Sequence, residues 1–125
     1  MGEYSECYEC KKNCFCEIHH IVEKSHCQFM KNVKLNFLHL CPECHRTGKH
    51  AVHKDRQVDL RYKQELQLRL QQTFHNEYYS IHQIKVTLDI TKSEAEKICR
   101  KLRTYKEGYK SEELIFFLMG SRNYL

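Results

Sequence analysis

Two Cys-x-x-Cys pairs could bind one metal ion between them. Cys7 and Cys10 form the first pair, and Cys41 and Cys44 form the second. Four thiolates with this spacing are the ligand set of a closed tetrahedral zinc site, in which protein fills every position and none is left for water. We therefore predict a structural Zn²⁺ at these four cysteines, connecting the start of the chain to the end of a hairpin.

Histidines form a second group of residues that could do chemistry. His19 and His20 are adjacent, and His45, His50 and His53 follow the second cysteine pair. A neutral imidazole can bind a divalent metal ion. Its ordinary pKa of ~6.5 also lets it accept a proton from water at cellular pH. The histidines are therefore candidates both for metal ligands and for a general base.

The order of these motifs resembles that of the HNH endonuclease family, which has the ββα-metal fold. The resemblance rests on the segment 17–21 (EIHHI), then Asn36, then the second cysteine pair with His45 directly after it. The resemblance covers residues 7–54. Within the family, this segment is most similar to the zinc-containing HNH nucleases of bacteria and their phages. It implies hydrolysis of DNA phosphodiesters, whose anionic phosphate and poor leaving group require both a base and a cation.

The resemblance implies a role for each matching residue. His20 stands at the position of the general base that activates water, and His19 at that of a ligand to the catalytic metal ion. Asn36 matches the asparagine that orients the hairpin so that the base is correctly aimed. His45 occupies the position of another metal ligand, whereas Glu17 is given no catalytic role.

The last ligand of the catalytic metal is left open by the sequence. In the family it follows about one helical turn after the preceding ligand, where this chain has Lys49, which cannot bind a metal while protonated. We favour His53 and keep His50 as the alternative. The catalytic divalent ion is expected to be Mg²⁺, Mn²⁺ or a transition metal, and a histidine-rich site favours the last.

The elements that must position these residues are predicted from periodicity and capping. Short apolar segments at residues 14–21 and 35–40 favour short strands. Residues 55–75 lack Gly and Pro and repeat apolar side chains at four-residue steps, which predicts an amphipathic helix with Asp55 as N-cap. We expect an α+β fold in which residues 1–75 form a zinc-stabilised ββα-metal nuclease domain.

Residues 76–125 are predicted to form a helical lobe resembling a helix-turn-helix. Two capping boxes, beginning at Ser80 and Thr91, predict helices that extend to about residues 88 and 103 and are separated by a tight turn. A last helix is expected at residues 112–119, capped by Ser111 and ended by Gly120.

The second of these helices carries basic residues that could contact DNA. The alternative is a solvated charged face on a helical bundle, and the sequence does not decide between the two. The predicted DNA-binding residues are Lys92, Lys97, Arg100, Lys101 and Arg103.

Composition limits the compartment and the partners. The chain has 125 residues, eight cysteines and a net charge of +5, most of it after residue 55. The first residues lack the basic and apolar regions of a signal peptide, and no apolar segment is long enough to span a membrane. We expect reduced thiols in a cytoplasmic protein, and the resemblance suggests a bacterial or phage-infected cell. The basic excess suits a polyanion.

Two functions are compatible with these features. The first is a metal-dependent endonuclease acting on DNA. Cutting both strands with one active site for each chain would require a homodimer. The second is a non-catalytic, zinc-stabilised DNA-binding or adaptor module.

Overall fold

A three-stranded antiparallel sheet precedes four helices in the computed structural model, which describes residues 2–125. This mixed arrangement confirms the predicted α+β class. The strands, in the spatial order β1-β2-β3, are β1 (Gly2–Glu6), β2 (Asn13–His20) and β3 (Phe37–Leu40). The helices are α1 (Arg56–Thr73), α2 (Ile81–Leu88), α3 (Lys92–Cys99) and α4 (Ser111–Leu118). A second antiparallel sheet pairs β4 (Tyr78–Tyr79) with β5 (Tyr109–Lys110).

β2 is the central strand of the first sheet and ends with the histidine doublet. Its register places His19 opposite Leu38 and His20 opposite Phe37. Neighbouring residues of a strand point to opposite faces. The two histidines therefore differ in solvent exposure: the His19 side chain is buried, and the His20 side chain is half-buried.

The connecting loop, residues 21–36 between β2 and β3, is held by one buried side chain. Asn36 accepts a hydrogen bond from the Val22 N–H at 2.7 Å. Its amide donates to the carbonyl oxygens of Val22 at 3.0 Å and Met30 at 3.1 Å. Because all three partners are backbone groups, the side chain fixes the path of the loop directly after the histidine doublet.

After β3 the chain forms a π-helical turn, Glu43–Thr47, and an irregular turn before α1 begins. The Asp55 carboxylate accepts a hydrogen bond from the Gln57 N–H at 3.0 Å, so Asp55 is the N-cap that the sequence predicts. The buried face of α1 includes Tyr62, Leu66 and Leu70.

α2 and α3 both begin with the predicted capping boxes. Ser80 and Thr91 each accept a hydrogen bond from the backbone three residues later, and Gln83 and Glu94 return one. The turn between the helices is tight, with Asp89 in the left-handed conformation at φ 53°.

The ends of the last two helices differ from the prediction. α3 stops at Cys99 rather than near Arg103, because the chain tightens into bonds three residues apart, from Lys101 to Ile98 and from Leu102 to Cys99. Ser111 is the first residue of α4 and not its cap, since its hydroxyl donates to the Glu77 carbonyl oxygen at 3.2 Å. Gly120 follows α4 with φ 77°, as predicted for a glycine that ends a helix.

One continuous hydrophobic core connects the first sheet, α1 and the three short helices. Representative members are Leu38 and Leu40 of β3, Leu66 and Leu70 of α1, Ile84 of α2, Ile98 of α3 and Leu114 of α4. Within residues 2–125, no helix combines the length and the apolar character that crossing a membrane requires. The predicted domain boundary at residue 75 stays a prediction.

Candidate active site and metal centres

The four predicted cysteines converge into one potential metal-binding site. Their sulfur atoms all lie within 4.8 Å of one another, and the Cys10 and Cys41 sulfurs are 3.8 Å apart. Tetrahedral zinc with Zn–S bonds of about 2.3 Å places its sulfurs about 3.8 Å apart. The arrangement is therefore consistent with a structural zinc site, as predicted.

Backbone N–H groups point at these sulfurs. The Cys7 sulfur accepts from the Cys41 N–H and the Cys41 sulfur from the Cys44 N–H, both at 3.4 Å. Burial raises the pKa of the Cys7 thiol, but the hydrogen bonds from the backbone around it outweigh burial and lower the pKa to about 7. A thiolate, the form that binds a metal, is thus accessible at Cys7 near neutral pH.

Three histidines form a second potential metal-binding site. His19, His45 and His53 each offer a ring nitrogen, and these atoms also lie within 4.8 Å of one another. The Nε2 atoms of His45 and His53 are 3.0 Å apart. Two facing lone pairs repel each other unless a proton or a cation lies between them. Three protein ligands with a remaining open position are typical of a catalytic metal site rather than a structural one.

His19 is neutral and incompletely satisfied. Its Nε2 atom is buried and has no hydrogen-bond partner among the described residues. Burial, together with the charges of His45 and His53, lowers the pKa of His19 to about 3. The ring therefore keeps a lone pair at any pH above this value. A buried polar atom without a partner is uncommon, and a bound cation would provide one.

The donor set of this site consists of imidazole nitrogens. Such a set suits Zn²⁺ and other first-row transition ions, whereas Mg²⁺ prefers oxygen ligands. Of the ions considered from the sequence, the transition metals therefore fit the histidine site best.

Glu17 orients one of these histidines. Its carboxylate accepts a hydrogen bond from the His45 Nδ1 at 2.7 Å, and this bond lowers the pKa of Glu17. Since a carboxylate only accepts, in the neutral ring Nδ1 carries the hydrogen and Nε2 has the lone pair that faces His53. Carboxylates hold metal-binding histidines in this way, a role that the sequence analysis did not assign to Glu17.

His20 lies beside the cluster with its own fixed orientation. Its Nε2 is 3.2 Å from the backbone carbonyl oxygen of Lys31 in the connecting loop, and its ring packs edge-on against Phe37. A carbonyl oxygen can only accept, so in the neutral ring Nε2 carries the hydrogen and Nδ1 carries the lone pair. The nitrogen able to take a proton from water is thus Nδ1.

A cleft of about 330 Å³ brings His20 and the three-histidine cluster together. Three basic side chains, Lys24, Lys31 and Arg46, border it, and their grouping could not be predicted because they are separated in the chain. The lining residues are Ile18, His19, His20, Glu23, Lys24, Lys31, His45, Arg46 and His53. Three cations around a cleft suit an anionic substrate.

The remaining predicted site residues lie elsewhere. His50 is exposed and its Nδ1 is 2.9 Å from the Asp55 carboxylate, outside the histidine cluster. Of the two candidates for the last ligand, the structure therefore brings His53, and not His50, to His19 and His45. Asn36 does not border the cleft and acts on the connecting loop instead.

The predicted DNA-binding residues are all exposed, but they do not share one helix face. Lys92 and Lys97 lie on α3, whereas Arg100 and Lys101 lie in the turn after it. Arg103 lies farther on, with its guanidinium over the Tyr105 ring at 5.0 Å. Their placement on a single recognition helix was wrong because α3 ends early.

Comparison of this chain with models of known protein families, with curated proteins and with solved structures finds no match in any of the three.

Proposed function

We propose that this protein is a metal-dependent DNA endonuclease in which His20 is the general base. The observation that carries the proposal is the shared cleft. His20 and the three-histidine cluster border the same space of about 330 Å³, beside Lys24, Lys31 and Arg46. A base, a cation site and an anion-binding rim in one cleft are the groups that hydrolysis of a phosphodiester needs.

Two metal sites with different tasks are part of the proposal. The four cysteines would hold a structural zinc, because four thiolates are the ligand set of such a site. His19, His45 and His53 would hold a divalent transition ion. When bound, this ion supplies the positive charge that stabilises the phosphate and the leaving oxygen during hydrolysis.

The side chains of this chain divide the remaining work. His20 Nδ1 takes a proton from the attacking water, while the Lys31 carbonyl oxygen holds Nε2–H and stabilises the imidazolium that forms. Water attacks phosphorus, the bond from phosphorus to the 3′ oxygen breaks and that oxygen takes a proton from solvent, so the products carry a 5′-phosphate and a 3′-hydroxyl. Lys24, Lys31 and Arg46 bind the anionic backbone at the rim of the cleft.

Duplex DNA is the proposed substrate. α2 and α3 are separated by a tight turn, and exposed Lys92 and Lys97 on α3, with Arg100 and Lys101 in the turn after it, could contact phosphates. Cutting both strands with one site for each chain would require a homodimer.

A plasmid assay tests the proposal. Supercoiled DNA is incubated with the protein and Mn²⁺, Ni²⁺ or Zn²⁺, beside His45→Ala, which removes a proposed ligand, and His50→Ala, a matched histidine outside the cluster. We expect nicking by the parent and by His50→Ala and none by His45→Ala. Salt-sensitive gel shifts without cleavage under any metal would instead favour the non-catalytic, zinc-stabilised DNA-binding or adaptor module.

A further inference from the structure

The connecting loop is attached to the C-terminal helices along its length. The Phe29 ring packs against Phe117 of α4, with 5.6 Å between centroids. The Asn32 amide donates to the Glu94 carboxylate at 3.0 Å. Lys34 forms an ion pair with Asp89, in the turn between α2 and α3, at 2.9 Å.

The same loop carries the carbonyl group that orients His20. Lys31 lies in the 3₁₀ turn Gln28–Asn32, and its carbonyl oxygen is 3.2 Å from His20 Nε2. The next residue, Asn32, is the one held by Glu94. On its other side, Asn36 joins Met30, next to Lys31, to Val22, which follows β2 by two residues. The carbonyl is thus positioned between this attachment near the histidine doublet and another to the helices.

Glu94 has a second bond that ties this attachment to α3. One carboxylate oxygen accepts from Asn32, and the other accepts from the Thr91 N–H at 3.0 Å in the capping box. One side chain therefore joins the first turn of α3 to the residue beside the His20 acceptor.

We propose that Glu94, through Asn32, is a positioning residue for His20, setting the Lys31 carbonyl that fixes the tautomer and direction of the base. The expected effect on the cleavage rate rests on the proposed nuclease function, whereas the expected effect on the tautomer of His20 does not. Lys34 and Asp89 support the same attachment with a second exposed contact, between the loop and the turn before α3.

Stability and positioning respond differently to loss of this contact. Exposed polar contacts contribute little to global stability, so removing one should leave unfolding nearly unchanged. Catalytic rates, in contrast, can fall about 100-fold when a reacting group moves by about 1 Å. A contact that serves only as packing between segments would affect neither the tautomer of His20 nor the turnover number.

The test uses variants from both sides of the contact. Asn32→Ala removes the donor and leaves the Thr91 cap intact, and Glu94→Gln keeps an oxygen for that cap. Asn76→Ala and Glu96→Gln are controls with the same chemical change at exposed positions. The His20 tautomer is read from nitrogen chemical shifts by NMR without DNA, and kcat and KM are measured for plasmid nicking.

We expect the Nε2–H tautomer of His20 to lose population in Asn32→Ala and Glu94→Gln and to stay unchanged in both controls. The kcat should fall about 10-fold or more, with KM and bound metal unchanged. An unaltered tautomer in both variants would overturn the inference, even if nicking occurs. A shifted tautomer in a protein that nicks no DNA supports the positioning role and contradicts the nuclease function.

Discussion

Two of the imidazole rings around the cleft have a hydrogen-bond partner that decides which nitrogen carries the hydrogen. Glu17 fixes the hydrogen of His45 on Nδ1, which leaves the lone pair of Nε2 facing His53. The Lys31 carbonyl fixes the hydrogen of His20 on Nε2, which leaves Nδ1 free to accept a proton. A ligand and a base can therefore coexist in one small site because different acceptors select opposite tautomers.

His53→Ala should remove one of two metal-binding sites. In a Co²⁺ titration, the parent is expected to bind one ion with thiolate-to-metal charge-transfer bands and a second without them. The variant should keep the thiolate bands and lose the second ion, because two histidines remain where three were. His50→Ala, whose ring contacts Asp55, should bind both ions. Loss of the second ion in His50→Ala but not in His53→Ala would show that His50, and not His53, is the third ligand.

Glu17→Gln should weaken the histidine site without removing it. The amide keeps the shape of the side chain but loses the charge that strengthens the bond from His45. Replacing such a partner typically lowers metal affinity about 10–100-fold. Competition with a chelator measures the change, and Glu3→Gln, an exposed carboxylate on β1 that pairs with His39, is the control. Equal affinities in parent and variant would refute the role given to Glu17.

Most members of the site could be predicted from the sequence, but the last ligand could not. The cysteine spacing was sufficient to predict the four-cysteine site, and the order of His19, Asn36 and His45 was sufficient to suggest the histidine site. The choice between His53 and His50 depends on how the irregular turn before α1 folds, which no periodicity describes. Burial at His19 and the hydrogen bond from His45 to Glu17 likewise arise only when distant segments meet.

At the scale of elements, Asn36 determines whether the connecting loop is ordered. Asn36→Ala would leave two backbone groups of Val22 and the Met30 carbonyl without their buried partner. Each unsatisfied buried group costs roughly 1–3 kcal/mol, so for three groups we expect the free energy of unfolding to fall by about 3 kcal/mol or more. Urea denaturation measures it, with exposed Asn76→Ala as control. A loss no larger than that of the control would contradict this account.

Local capping chemistry explains which elements could be predicted. Asp55, Ser80 and Thr91 each satisfy backbone groups within a few residues, so their helices follow from sequence alone. β1 could not be predicted, because its five mostly exposed residues become a strand only by pairing with β2. The early end of α3 depends on the turn that leads to β5, again a feature of the folded chain.

At the scale of the molecule, the cysteine site connects the two outer strands of the first sheet. Cys7 and Cys10 follow β1, and Cys41 and Cys44 follow β3, so one ion would join these strands at the same end of the sheet. A structural zinc contributes its binding free energy to folding. The histidine cleft lies on the same sheet, and its geometry depends on that connection.

Cys10→Ser should therefore lose zinc and more than about 3 kcal/mol of stability. Cys14→Ser is the matched control, because Cys14 lies on β2 near the site but outside the group of four. Native mass spectrometry reports the bound zinc, and urea denaturation reports the stability. Zinc retained by Cys10→Ser at parental affinity would show that the four thiols do not form one site.

The central claim, that His20 is the base of a metal-dependent nuclease, is tested most directly by single-turnover cleavage of plasmid DNA. Parent and His20→Ala are compared with the metal content of the histidine site measured in the same samples. The account predicts that metal content is unchanged and that the cleavage rate of His20→Ala falls about 10²–10⁴-fold, the usual contribution of a general base. A fully loaded His20→Ala that cleaves at the parental rate would contradict it.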